Sequence, residues 1–203
     1  MGTRVREKVI EQIEVQRRGG ICVKYPVSCL IFDLISNVLD VFHRRIVILD
    51  LTYGEGRFYK AFGVFKPYII AIDIRKLNWH VVPDEFYLTA AWRWKHVVNH
   101  KKVDLVVVDP PWMEWRRGSE GRYHYSVYNI VGSPLSILNA GFEAAIHYNA
   151  YILIHYKERV THEKFDLLNE IWFRGRSRLA NLSRPSWFGI LKLRRGDYER
   201  VPI

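Results

Sequence analysis

Cysteine is nearly absent from this sequence: two residues, Cys22 and Cys29, in a chain of 203. So few cysteines cannot build a disulfide scaffold or a four-cysteine zinc site. The eight histidines are scattered without metal-ligand spacing, so no metal is expected. No apolar run reaches the roughly 18 residues that a membrane-spanning helix requires. Residues 1–18 are charged and lack the apolar stretch of a secretory signal; they read as a helix or an arm. A cytoplasmic chain without a membrane anchor is the expectation. Internal repeats, low-complexity tracts and Pro/Gly/Ser-rich linkers are also missing. The expected organisation is one domain over residues 1–203, with an N-terminal helical segment over 1–41 and a core over 42–203.

Acidic residues are in deficit. There are 21 Asp and Glu against 31 Lys and Arg, a formal net charge of +10. Such an excess favours an anionic partner, nucleic acid first. The basic residues recur in clusters, among them Arg44-Arg45, Arg116-Arg117 and Arg174, Arg176 and Arg178. Trp112, Trp115, Tyr123, Tyr125, Trp172 and Trp187 are interleaved with them. Arginine beside aromatic rings suits phosphate contact combined with base stacking. For Trp172 and Trp187, ordinary core packing is the expected role.

Hydrophobic residues make up 49% of the chain, and their runs have strand character. Ile46 to Leu49, Tyr68 to Ile72 and Val103 to Val108 are continuous, largely β-branched segments. Phe86 to Thr89 and Ala150 to Ile154 read as further strands, and Glu170 to Gly175 with Phe188 to Leu193 as an antiparallel hairpin. Helical segments are expected over 27–41, 57–65 and 134–148. Buried runs alternating with helices predict a mainly parallel sheet covered on both faces. Three runs end in an acid: Asp50, Asp73 and Asp109. Asp often begins a loop, which accounts for one such acid well and for three poorly. In open α/β sheets, ligands bind beyond the carboxyl ends of the strands.

After the first run comes Asp50-Leu51-Thr52-Tyr53-Gly54-Glu55-Gly56-Arg57-Phe58. Two glycines permit a tight turn and close approach to a ligand. Asp73, at the end of the next strand, is placed to accept ribose hydroxyls. A dinucleotide fingerprint needs a small third residue, where this sequence has Tyr59. Glu55 would repel a pyrophosphate, and no Gly-Lys-Ser/Thr follows. A nucleoside carrying cationic groups and no phosphate fits better, with Asp50 and Glu55 as its counter-charges.

The sharpest motif is Asp109-Pro110-Pro111-Trp112, directly after the third run. The prolines hold the chain extended and contribute carbonyls without N–H groups. Asp109 adds further acceptors. A turn rich in acceptors and poor in donors suits an exocyclic amine, whose nitrogen lone pair is left free to attack. Trp112 can stack on the base that carries the amine.

On these residues the sequence resembles the class I S-adenosylmethionine-dependent methyltransferase superfamily. The Asp-x-Thr-x-Gly-x-Gly-x-Phe form of residues 50–58 resembles its first cofactor motif. Asp109 to Trp112 resembles the catalytic motif of nucleic-acid amino-methyltransferases, in the variant of adenine-N6 enzymes. The resemblance implies an α/β, Rossmann-like fold with a mostly parallel seven-stranded sheet, helices on both faces and a C-terminal antiparallel hairpin. It also implies S-adenosyl-L-methionine as cofactor, held by Asp50, Thr52, Gly54, Gly56, Asp73 and, near its adenine, Trp92. Asp109, Pro110, Pro111 and Trp112 would be catalytic. Lys24-Tyr25-Pro26 is a short match to the segment that contacts the methionine portion.

Residues 113–132 follow the motif without clear periodicity. As a substrate lid, this stretch would offer Arg116, Arg117, Arg122, Tyr123 and Tyr125 to nucleic acid, DNA or RNA. The same turn would serve a guanine or cytosine amine, or a protein glutamine amide. A nonenzymatic nucleic-acid-binding module that has kept the fold is the alternative outside enzymes.

Overall fold

The computed structural model describes residues 20–110, 134–173 and 186–194. Seven strands form one sheet: β1 (Val47–Asp50), β2 (Tyr68–Asp73), β3 (Glu85–Leu88), β4 (Leu105–Val108), β5 (Tyr151–Tyr156), β6 (Phe165–Phe173) and β7 (Ser186–Leu193). Their order is β3-β2-β1-β4-β5-β7-β6. β1 to β5 pair in parallel; β7 runs antiparallel between β5 and β6. The expected α/β sheet with its C-terminal hairpin is present, and the hairpin's second strand is the one joined to the rest.

Alternation along the strands divides the core. Leu49, Ile70, Ile72, Val106, Val108, Ile152 and Ile154 share one cluster with Ile137, Leu138 and Phe142 of the helix Pro134–Tyr148. A Cβ on Gly141 of that helix would come within 2.4 Å of Val108 Cγ2, so glycine sets the close helix–sheet approach. Ile48, Ile69, Leu105, Val107 and Leu153 face the other way. They pack with Ile31, Phe32, Leu34 and Ile35 of the helix Pro26–Ser36. Pro26 suits the first turn of this helix, where an N–H has no partner to lose. Its four large side chains recur at helical spacing, and their burial is worth about 1.5–3 kcal/mol each before entropy is counted.

Several expectations are corrected. The helix expected over 57–65 is a 3-10 segment, Arg57–Phe65, interrupted where Gly63 takes φ 51°. A glycine in that conformation breaks a regular helical ladder, while Tyr59 and Phe62 are still delivered to the core. β6 begins at Phe165, before the expected Glu170. Trp187 is buried as expected, whereas Trp172, on the edge strand, is 52% exposed. Edge position is the cause: β6 has a neighbour on one side only.

Cys22 and Cys29 are bonded to each other, linking the short helix Ile21–Lys24 to Pro26–Ser36. The cysteine count excluded a scaffold but not a single clip across a tight helix–helix turn. Neither cysteine is free to act as a nucleophile. Among the described residues no helix is long and apolar enough to cross a membrane.

Candidate active site

β1, β2 and β4 deliver Asp50, Asp73 and Asp109 to the same end of the sheet. Asp50 lies in register with Ala71 and Val107, while Asp73 pairs with Leu88. The three acids are close enough to interact electrostatically. Asp50 is 2% exposed. Its burial pushes the carboxyl up to about 7, and the charges of Asp109 and Asp73 push the same way. Hydrogen bonds from Tyr59 and the Thr52 N–H oppose the rise. Tyr59 Oη donates to Asp50 Oδ2 at 2.6 Å, and Thr52 N donates to Oδ1 at 2.9 Å. Both oxygens being engaged, Asp50 braces the loop above it and acts on a ligand through its field.

The glycine loop is held from three sides. Gly54 N donates to Asp73 Oδ2 at 2.8 Å, and Tyr53 N to the Ile72 carbonyl at 3.1 Å. Tyr53 Oη donates to the Val81 carbonyl at 2.6 Å. Gly56 takes φ 70°. A Cβ there would lie 2.5 Å from Tyr53 Oη and 2.8 Å from the Val81 carbonyl oxygen. Conformation and space thus both demand glycine at this point. Glu55, expected as a counter-charge, is ion-paired with Arg57. Asp73 Oδ1 accepts from Arg75 N at 2.9 Å, so each of its oxygens keeps a lone pair for a ligand.

Thr52 joins the loop to the turn after β4: its Oγ1 accepts the Asp109 backbone N–H at 2.7 Å. Trp92 sits in the 3-10 turn Ala91–Arg93 after β3 and is 40% exposed. Tyr25 packs edge-on to His80, whose N–H donates to the Glu55 carbonyl. Lys24-Tyr25-Pro26 therefore flanks the loop. Pro110 is the last described residue of the turn. Pro111, Trp112, Arg116, Arg117, Arg122, Tyr123 and Tyr125 lie outside the described residues, as does the arm over 1–18.

Sequence reasoning missed His155. It lies near the end of β5, and its Nδ1 is 2.9 Å from Asp109 Oδ1. The one signal for it was a lone imidazole directly after the apolar run Ala150 to Ile154.

No family model matches the sequence, and no curated relative matches it. Solved structures do match. One is a candidate RNA methyltransferase from Pyrococcus horikoshii, 10% identical over 82% of each chain, with a TM-score of 0.50. Another is magnesium protoporphyrin IX methyltransferase from Synechocystis, solved with bound S-adenosylmethionine. It is 9% identical over 82% of this chain and 78% of that one, with a TM-score of 0.49. A ribosomal-RNA methylase from Streptococcus thermophilus is 12% identical over 80% and 93%, with a TM-score of 0.46. At these identities the likeness is one of fold. The sheet is that of a Rossmann-like methyltransferase.

Proposed function

We propose that the chain transfers the methyl group of S-adenosylmethionine to an exocyclic amine of a nucleic-acid base, adenine N6 first. The observation that carries this reading is the junction of Asp109 with the glycine loop through Thr52 Oγ1. It sets the amine-accepting turn directly beside the proposed cofactor loop.

The residues present fit the cofactor. Asp50 is a buried carboxyl whose immediate partners, Tyr59 and Thr52, are neutral. A site with three neighbouring acids favours a ligand carrying positive charge. Asp73 retains acceptors for ribose hydroxyls, and Gly54 and Gly56 present backbone without side chains. When bound, the cofactor supplies an electrophilic methyl group. Asp109 and the Pro110 carbonyl accept the amine hydrogens and turn its lone pair outward. Alignment of two bound reactants is where most of the acceleration arises. The net charge of +10 favours a polyanionic substrate over a protein amide.

Labelled cofactor incubated with DNA, RNA and protein pools, followed by mass spectrometry of the products, tests the reading. A methylated adenine amine is the expected product. Methylation of a ribose oxygen or a pyrimidine carbon would overturn it, and a guanine or cytosine amine would change only the base. Asp73→Ala is expected to weaken cofactor binding by about 1.5–3 kcal/mol, read by calorimetry. Unchanged affinity would remove Asp73 from the cofactor site.

A further inference from the structure

We propose that His155 is a positioning residue that fixes the carboxylate of Asp109; its importance for turnover rests on the methyl-transfer reading above. Asp109 follows Val108, which pairs with Ile154, so Asp109 and His155 emerge side by side from adjacent parallel strands. The imidazole Nδ1 lies 2.9 Å from Asp109 Oδ1. The ring itself has little freedom. It lies flat on Phe188, its register partner on β7, with centroids 4.0 Å apart and planes 3° from parallel. Phe58, at the end of the glycine loop, meets its edge side at 5.9 Å and 66°. Phe188 is fully buried, and the Phe58 ring also meets the Phe188 ring, with centroids 6.4 Å apart.

Asp109 is held at its N–H by Thr52, and its Oδ1 lies against the imidazole Nδ1 at ion-pair distance, in a contact not aligned as a hydrogen bond. A strand-end aspartate would otherwise sample several side-chain rotamers. A proton on Nδ1, with a small rotation of the carboxylate, would engage one Asp109 oxygen and leave the other for an amine hydrogen. Partners that orient a reacting group in this way are worth about 10–100-fold in activity at metal sites, and the same orienting argument applies to a carboxylate.

Two substitutions separate positioning from packing. His155→Phe keeps the stack on Phe188 and removes the donor. His155→Asn discards the stack and places an amide N–H near the position of Nδ1. Measured on nucleic acid, His155→Phe is expected to lose about 10–100-fold in kcat with cofactor KM unchanged, and His155→Asn to keep most of the rate. A merely structural role reverses that order, and a His155→Phe variant as active as the unaltered chain overturns the proposal. Nitrogen-15 NMR of the imidazole supplies a readout that needs no turnover. The neutral ring is expected to carry its proton on Nδ1, and to lose that preference in Asp109→Ala. A ring protonated on Nε2 in both overturns the contact. An unaltered chain that shows the Nδ1 preference but transfers no methyl sustains the contact and sinks the methyl-transfer reading instead.

Discussion

Asp109→Ala is expected to lower kcat for methyl transfer by at least about 10²–10³-fold, the usual cost of one group directed at the reacting atoms. Cofactor affinity should be nearly unchanged, because the Asp109 contribution to the glycine loop is its backbone N–H, which alanine retains. Loss of rate without loss of ground-state binding marks an interaction with the reacting group. Single-turnover rates at saturating cofactor, paired with calorimetry, measure both. Full activity in this variant would remove the turn from catalysis. Asp109→Asn refines the test. An amide has one oxygen for two claimants, the imidazole of His155 and the substrate amine. If the imidazole takes it, the amide N–H₂ faces the amine and the rate falls close to that of Asp109→Ala.

Asp50 gives the second large effect, in stability. Its carboxyl is ordinary in the unfolded chain, near 3.8, and is pushed up to about 7 by burial in the folded one. The folded state therefore holds a proton that the unfolded state releases near pH 4. Stability from this group is fully present below that pH, declines as pH rises, and is lost above about pH 7. At about 1.4 kcal/mol per pKa unit, the loss is of the order of 4 kcal/mol. Asp50→Asn carries no charge, and its amide can accept from Thr52 N and donate to Tyr59 Oη. It should melt at a higher temperature than the unaltered chain at pH 8, with the gain fading toward pH 4. Identical melting curves for the two proteins across that range would contradict the assignment. Cofactor binding gives the complementary sign. A cationic ligand favours ionised Asp50, so binding near pH 7 should release protons, seen as buffer-dependent calorimetric heats that Asp50→Asn lacks.

The strand ends were legible in the sequence because a continuous apolar run broken by an acid marks the point where a buried strand leaves the core. Asp50, Asp73 and Asp109 were found in this way, and their shared end follows from parallel pairing. Three features were hidden. His155 acts through a ring on β7 and a carboxylate after β4, neither of which is near it in sequence. Thr52 was expected at the cofactor, and the bond from its hydroxyl oxygen to the Asp109 backbone was not foreseen. The Cys22–Cys29 bond escaped a count of cysteines because counting tests for scaffolds, and proximity depends on the turn at Tyr25. In each case the missing information was a contact between separate elements, which local periodicity does not carry.

The sheet order also has a consequence in time. β5 waits for a partner that the ribosome makes last among the strands: β7 covers it from Tyr151 to Tyr156, while β6, synthesised earlier, has β7 as its one strand partner. Until residues 186–193 emerge, Ile152, Leu153 and Ile154 border an open edge, and β6 has no strand to pair with. β7 then brings Trp187, Phe188, Ile190 and Leu191, at most 1% exposed in the finished fold, into both core clusters at once. Such non-local closure is slow and leaves a nascent chain exposed to edge-to-edge association. The proposed active-site histidine acquires its stacking partner Phe188 only at that step, so a chain stalled before it would carry the acids of the site and His155 without the ring on which that imidazole rests.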